Sequence, residues 1–296
     1  MRVEKLTAAI GAEVLGLDLS RPLGEAERRE LKAAWLEHLV LLVRGQTGLT
    51  PQRHVEFARV FAPIDDRNFV SKYSHPDYRE IVVLTNEMED GKPSETRDIG
   101  WQWHADLTYT LRPSCGAVLH ATAVPDVGGD TMFANMHLAF ERLSPAFRKM
   151  IDGLECVHDF TNGAWYRKRH EAAPQAEVRK TDPVIQPMVR RHPETGRKSL
   201  YIGETAVSHV HGMTREESGP LLDFLHAHAT QHDFLMRHRW RPGDLLVWDN
   251  RCTLHKVIHD HDSVVEPGSP GKVRRMHRIT LEGEASGRPF QAALSH

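Results

Sequence analysis

"GDLLVWDNRCTLHK" (residues 243–256) reads as two short apolar strands broken by an Asp-Asn-Arg turn. The same alternation of short strands and turns begins at Gly116. It runs through "GAVLHATAVP", "GGDTMFAN", "PMVRRHPETGRKSLYIG" and "RRMHRITLEG", and one helix, "REESGPLLDFLHAHATQ" (215–231), interrupts it. Upstream, "GEAERRELKAAWLEHL" (24–39) places Leu31, Ala34, Trp35 and Leu39 at helical spacing. "LVLLVRG" follows as a buried strand, and "TPQRHVEFARVFAP" (50–63) as a second helix with Thr50 as N-cap and Pro51 at N1. "REIVVLTNE" is a further strand, and the first twenty or so residues read as short strands and turns. Many short strands with few helices predict a mostly-β fold, a barrel or sandwich core with flanking helices. No repeat or long low-complexity linker divides the chain, so residues 1–296 are expected to form a single domain.

Composition narrows the function. Hydrophobic residues make up 40% and charged residues 26% of the 296, the balance of a globular protein with a full core. A net charge of -2 speaks against a nucleic-acid surface, which needs a basic excess. The longest apolar runs, such as "HLVLLV" (38–43), are too short to span a bilayer, and "MRVEKLTAAIGAEV" lacks the apolar run of a secretory signal, so none is expected. Cys115, Cys156 and Cys252 are widely spaced and odd in number, which suits free thiols in a reducing cytoplasm. Twenty histidines raise the question of which are ligands.

"WQWHADLTYT" (101–110) sets His104 and Asp106 two residues apart in an apolar stretch. On a strand, residues i and i+2 share a face, so imidazole and carboxylate would converge. His255 of "WDNRCTLH" can supply a third donor from a distant strand, completing a 2-His-1-carboxylate triad with open positions. Taken alone, His-x-Asp is equally a surface ion pair or a hydrogen-bonded turn. His228 and His232 have the spacing of a zinc helix motif but Ala229 stands where its base would be, so they read as a polar helix face. His259 and His261 lead into a loop rich in Pro and Gly (260–272) and read as solvated. His120, His137, His158 and His170 read as packing residues.

In order, "WHAD", "GGDTMFANM", "GDLLVWDNRCTLH" and "RRMHRITLEG" resemble the motifs of the taurine and 2,4-dichlorophenoxyacetate dioxygenase family, and the likeness runs over almost the whole chain. "GRKSLYIG" and the stretch ending in "WDNRCTLH" look most like the phenoxyacetate branch. The resemblance implies a double-stranded β-helix (jelly-roll) core and dependence on Fe(II), 2-oxoglutarate and O2. It implies that His104, Asp106 and His255 hold the iron, that Thr131 and Arg274 hold the distal carboxylate of 2-oxoglutarate, and that Arg278 binds the substrate's anionic group. Arginine suits the remote carboxylate because its planar fork is always charged. Without the upstream motifs, "VRRMHR" would read as a solvated basic edge strand.

The expected partner is a small anionic organic substrate, an aryloxyalkanoate rather than taurine, since Gly100 stands ahead of "WQWH" in place of an amide. Trp101, Trp103, Trp165 and Tyr166 are candidate pocket walls, with core packing the equal alternative for each. No nucleic-acid or membrane partner is expected, and a cytoplasmic homo-oligomer, dimer or tetramer, is. The loop 260–272 is expected to cap the site. Two other classes, a zinc hydrolase on the same ligands and a non-catalytic anion-binding barrel, would have no need of the complete set.

Overall fold

The computed structural model describes residues 1–66, 73–162 and 182–290. Two sheets face one another. The larger has seven strands, in the spatial order Arg2–Lys5, Ala12–Leu15, Val40–Val43, Leu245–Asp249, Gly116–Ala123, Arg275–Leu281 and Val82–Thr85. Its pairings are antiparallel except that of Ala12–Leu15 with Val40–Val43. The smaller sheet runs Leu235–His238, Thr131–Asn135, Thr253–Val257, all antiparallel.

Period-two alternation explains why the central strands read as unbroken apolar runs. Val40, Leu42, Leu119, Leu246, Trp248 and Met276 face the space between the sheets, where they meet Phe133 and Met236 of the smaller one. The Phe133 and Trp248 rings mark this inter-sheet core, with centroids 5.7 Å apart. The intervening residues Leu41, Val43, Val118, Val247 and Ile279 point the other way, onto Leu31 and Trp35 of helix Glu25–His38 and Val55 and Phe57 of helix Pro51–Ala58. Both faces of the larger sheet are therefore apolar. The smaller sheet is covered likewise: Ala134 and Leu254 pack against Met136 and Phe140 of helix Met136–Glu141 and Leu222 and Leu225 of helix Arg215–Ala229.

The expected strands and helices appear, with Thr50 accepting from Arg53 N and Pro51 opening its helix. Two helices exceed the expectation. Met136–Glu141 and Pro145–Ile151 are capped by Asn135 and Ser144. Each is under two turns, too short to print a 3.6-residue period. The stretch 101–110 is not the expected strand. Gly100 (φ +87) and Leu107 (φ 57) bend the chain on either side, and only His104 pairs, in an isolated bridge with His255. The three cysteines are free and buried, and among the described residues no helix is long and apolar enough to cross a membrane.

Candidate active site

The bridge between His104 and His255 positions both imidazoles. His104 N donates to His255 O (3.0 Å) and His255 N to His104 O (2.8 Å), with Val257 N to Gly100 O (2.7 Å) extending the match. The strap 100–104 thereby lies beside strand Thr253–Val257, at the open edge of the smaller sheet. Its other flank is held by Glu204, whose backbone N donates to Trp103 O (2.8 Å) and whose carboxylate accepts from Trp103 N (3.2 Å). Gly203 packs closely against this strap: a Cβ at that residue would lie 3.4 Å from His104 Cα, in van der Waals contact.

The turn that follows returns Asp106 to the same point. Its Oδ1 lies 3.7 Å from His104 Nε2 and 3.8 Å from His255 Nε2. The three donor atoms all fall within 4.8 Å of one another, close enough for one metal ion. His104 Nδ1 donates to Gln102 O (2.8 Å), which leaves Nε2 with its lone pair facing the cluster. Burial pushes both imidazoles below their ordinary range, so each is a neutral ligand. Burial opposes the charge on Asp106, but Arg278, His255, His104 and Asn250 outweigh it and hold the carboxyl well below the usual range. Two neutral nitrogens and one anionic oxygen fit a divalent iron and leave coordination positions free.

Asn250 orients the carboxylate. Its Nδ2 donates to Asp106 Oδ2 (2.8 Å), while its Oδ1 accepts from Trp248 Nε1 (2.9 Å) and Asp106 N (3.3 Å). The sequence carries a signal for this residue that ligand spacing alone does not single out, a polar side chain between two buried strands in "WDNRCTLH". Arg278 reaches Asp106 from the larger sheet, Nη2 to Oδ1 at 2.7 Å, with its Nε buried and unpaired.

Arg274 presents the second chemical feature. It is buried, lies across the same cleft, and among the described residues has no carboxylate within ion-pair distance. Its Nε donates to Gly129 O (3.3 Å), and its Nη2 is buried without a partner. Burial alone lowers its pKa to about 10, the signature of a cation short of an anion. Thr131 stands in the same lining, its Oγ1 accepting from Trp240 Nε1 (2.9 Å), so the hydroxyl proton remains available to an acceptor. Arg274 and Arg278 do share the cleft as expected. A bulge between Arg275 and Met276 lies between them, Met276 is drawn into the inter-sheet core, and Arg275 turns away to pair with Glu87.

The cleft runs between the metal cluster and a wall of Leu84, Ile99, Leu119 and Val257. Trp101 and Trp103 are not in that wall. Trp103, adjacent to His104 on extended backbone, points to the opposite side and packs into the core behind the smaller sheet; Trp101 is 44% exposed. Trp165 and Tyr166 lie outside the described residues. His259 is exposed at the rim of the cleft, as expected, but His261 is half-buried in its lining, because the loop 260–272 folds back over residues 85–89: Asn86 Nδ2 donates to Asp262 O (2.7 Å) and Lys272 O (3.0 Å).

A second cluster, His192, Asp249 and Cys252, has metal-ligand spacing. Its carboxylate is already saturated. Arg251 holds both Asp249 oxygens and His192 Nε2 lies 3.0 Å from Oδ2, so the guanidinium occupies the place of a cation.

Comparison with known proteins identifies the class. The chain matches the taurine catabolism dioxygenase TauD, TfdA family over residues 2–280, and it belongs to that family. It is 35% identical over 255 residues to the alpha-ketoglutarate-dependent 2,4-dichlorophenoxyacetate dioxygenase of Cupriavidus pinatubonensis, covering 83% of this chain and 88% of that one. It is also 35% identical over 260 residues to the (S)-phenoxypropionate/alpha-ketoglutarate-dioxygenase of Sphingobium herbicidovorans, covering 86% and 88%. The crystal structure of AAD-2 in complex with Mn(II) and N-oxalylglycine superposes with a TM-score of 0.80 at 30% identity, covering 97% of this chain and 99% of that one. The chain is thus an iron- and 2-oxoglutarate-dependent dioxygenase, an oxidoreductase that uses Fe(II), 2-oxoglutarate and O2.

Proposed function

We propose that this enzyme hydroxylates an aryloxyalkanoate at the carbon between its carboxylate and its ether oxygen, yielding a phenol and an oxo-acid. The observation that carries the reading is the pair of guanidiniums in one cleft beside a His-Asp-His cluster, one of them buried without a counter-charge. In this reading His104, Asp106 and His255 hold Fe(II), which supplies the activation of O2 when bound. Arg274 and Thr131 hold the distal carboxylate of 2-oxoglutarate. Arg278, whose guanidinium stands against Asp106 Oδ1, takes the substrate's carboxylate and so brings its α-carbon next to the metal cluster. Leu84, Ile99, Leu119 and Val257 give the aryl group an apolar wall and exclude water from the reacting carbon. The domain spans residues 1–296, and its two facing sheets are read as a double-stranded β-helix.

The test is an anaerobic titration with Fe(II) and 2-oxoglutarate, followed by an aerobic screen for succinate release. Phenoxyacetates or phenoxypropionates are expected to outpace taurine. Preferential sulfite release from taurine would move the substrate to an alkanesulfonate and leave the iron chemistry standing. Tight zinc binding with no 2-oxoglutarate-dependent turnover would overturn the reading as a whole.

A further inference from the structure

We propose that His261, on the loop that closes over the cleft, is a third contact for the distal carboxylate of 2-oxoglutarate, beside Arg274 and Thr131. The inference rests on the placement of that carboxylate at Arg274 given above. His261 Nδ1 is buried and has no hydrogen-bond partner, and Arg274 Nη2 is in the same condition. Both side chains face one glycine. A Cβ placed on Gly129 would lie 3.2 Å from Arg274 Nε and 3.5 Å from His261 Nδ1. Two buried polar nitrogens without partners, on side chains that meet at one glycine of the cleft, leave an unmet demand for an acceptor.

The position of His261 is fixed by the turn that carries the cosubstrate residues. Ile258 N donates to Asp130 O (2.8 Å), and Gly129 N donates to Asp260 Oδ1 (2.8 Å). Arg237 ties both acidic side chains together, with Nε on Asp130 Oδ2 at 2.6 Å and Nη2 3.5 Å from Asp260 Oδ2. Residues 258–261 are therefore stitched to 128–130, one residue before Thr131. Burial, and then the Arg274 charge, outweigh the Asp260 charge and the Ile258 backbone and push the His261 imidazole down to about 4, so at neutral pH it is an uncharged ring that donates through one nitrogen. A carboxylate is an acceptor only, and it is the group that satisfies an arginine and a neutral imidazole donor together.

The test measures binding rather than turnover, by calorimetry on the Mn(II)-loaded protein. His261→Ala and His261→Phe are compared with Arg274→Ala, each titrated with 2-oxoglutarate and with pyruvate, a 2-oxo acid that lacks the distal carboxylate. His261→Phe keeps the ring's packing and removes only its nitrogens. Both His261 variants are expected to bind 2-oxoglutarate about tenfold more weakly, the loss of one hydrogen bond to a charged group, with pyruvate binding unchanged. Wild-type 2-oxoglutarate affinity in His261→Phe, alongside weakened binding in Arg274→Ala, would sink the contact and spare the Arg274 placement. Equal weakening of pyruvate and 2-oxoglutarate would also sink it, since the effect would then not involve the distal carboxylate. Unchanged affinity in Arg274→Ala would remove the placement on which it rests.

Discussion

Asp106 is where the demands on single residues meet. One oxygen faces the two histidines and Arg278, and the other accepts from Asn250. Truncating His104, Asp106 or His255 to Ala removes one of three donors from an open site, and each variant is expected to lose turnover and bound iron while keeping its circular dichroism spectrum. Asn250→Ala should act more subtly. It leaves a buried carboxylate oxygen without its donor, at a cost of about 1–3 kcal/mol, and lets the ligand swing, weakening iron binding about 10- to 100-fold. Iron affinity equal to the wild type would show that Arg278 alone orients Asp106. Arg278→Ala should cripple turnover of anionic substrates and spare 2-oxoglutarate binding, and Arg278→Lys should fall short of rescue because an ammonium lacks the fork. Full activity in Arg278→Lys would reduce the residue to a point charge.

At the scale of elements, strands buried on both faces were legible because alternate residues serve two apolar layers, leaving runs such as Val40–Val43 without a polar break. Helices of more than two turns were legible, Pro51–Ala58 with the help of its Thr50 cap and Pro51, and those of under two were not. His104 and Asp106 were paired correctly through a wrong element: the convergence comes from a turn after an isolated bridge, and the positive φ at Leu107 leaves no mark in sequence. His261 was misread for a similar reason, while His259 is exposed as its loop composition implies. Pro and Gly announce a loop, but which surface the loop covers is decided by contacts such as Asn86 with Asp262, 176 residues apart in sequence. The turn at Gly129 offers a test at this scale. Its φ is +72, and a Cβ would press on Arg274 Cδ at 3.1 Å. Gly129→Ala is expected to cost about 1–2 kcal/mol for the left-handed backbone and, by pushing Arg274 out of line, to raise the 2-oxoglutarate requirement. Denaturant unfolding and a 2-oxoglutarate titration check the two halves; a loss of stability with unchanged cosubstrate affinity would show that Arg274 relaxes freely.

Across the whole molecule, buried histidines set the response to acid. His54 and His158 have both ring nitrogens buried without partners, and His137 bonds only through Nδ1, to Lys198 O. Burial pushes His137 down to about 4, His158 to about 3 and His54 well below 6.5. A folded-state pKa below the unfolded value means that the unfolded chain binds more protons. Stability is therefore complete above about pH 6.5 and is lost as the pH falls toward the folded values, by about 1.4 kcal/mol per pH unit for each such group. The buried aspartates do not share this window. Burial opposes the charge of Asp249, but Arg251 and His192 outweigh it, so its pKa is depressed, as is that of Asp106; the stability they contribute is present above 3.8 and lost only below it. Urea unfolding of the metal-free protein should thus show a midpoint that falls steadily between about pH 6.5 and about pH 4.5, before carboxylates enter. His158→Gln, uncharged throughout, should flatten that slope by about 1.4 kcal/mol per unit. A midpoint independent of pH across this range would mean that water reaches these rings and that their burial does not hold them neutral.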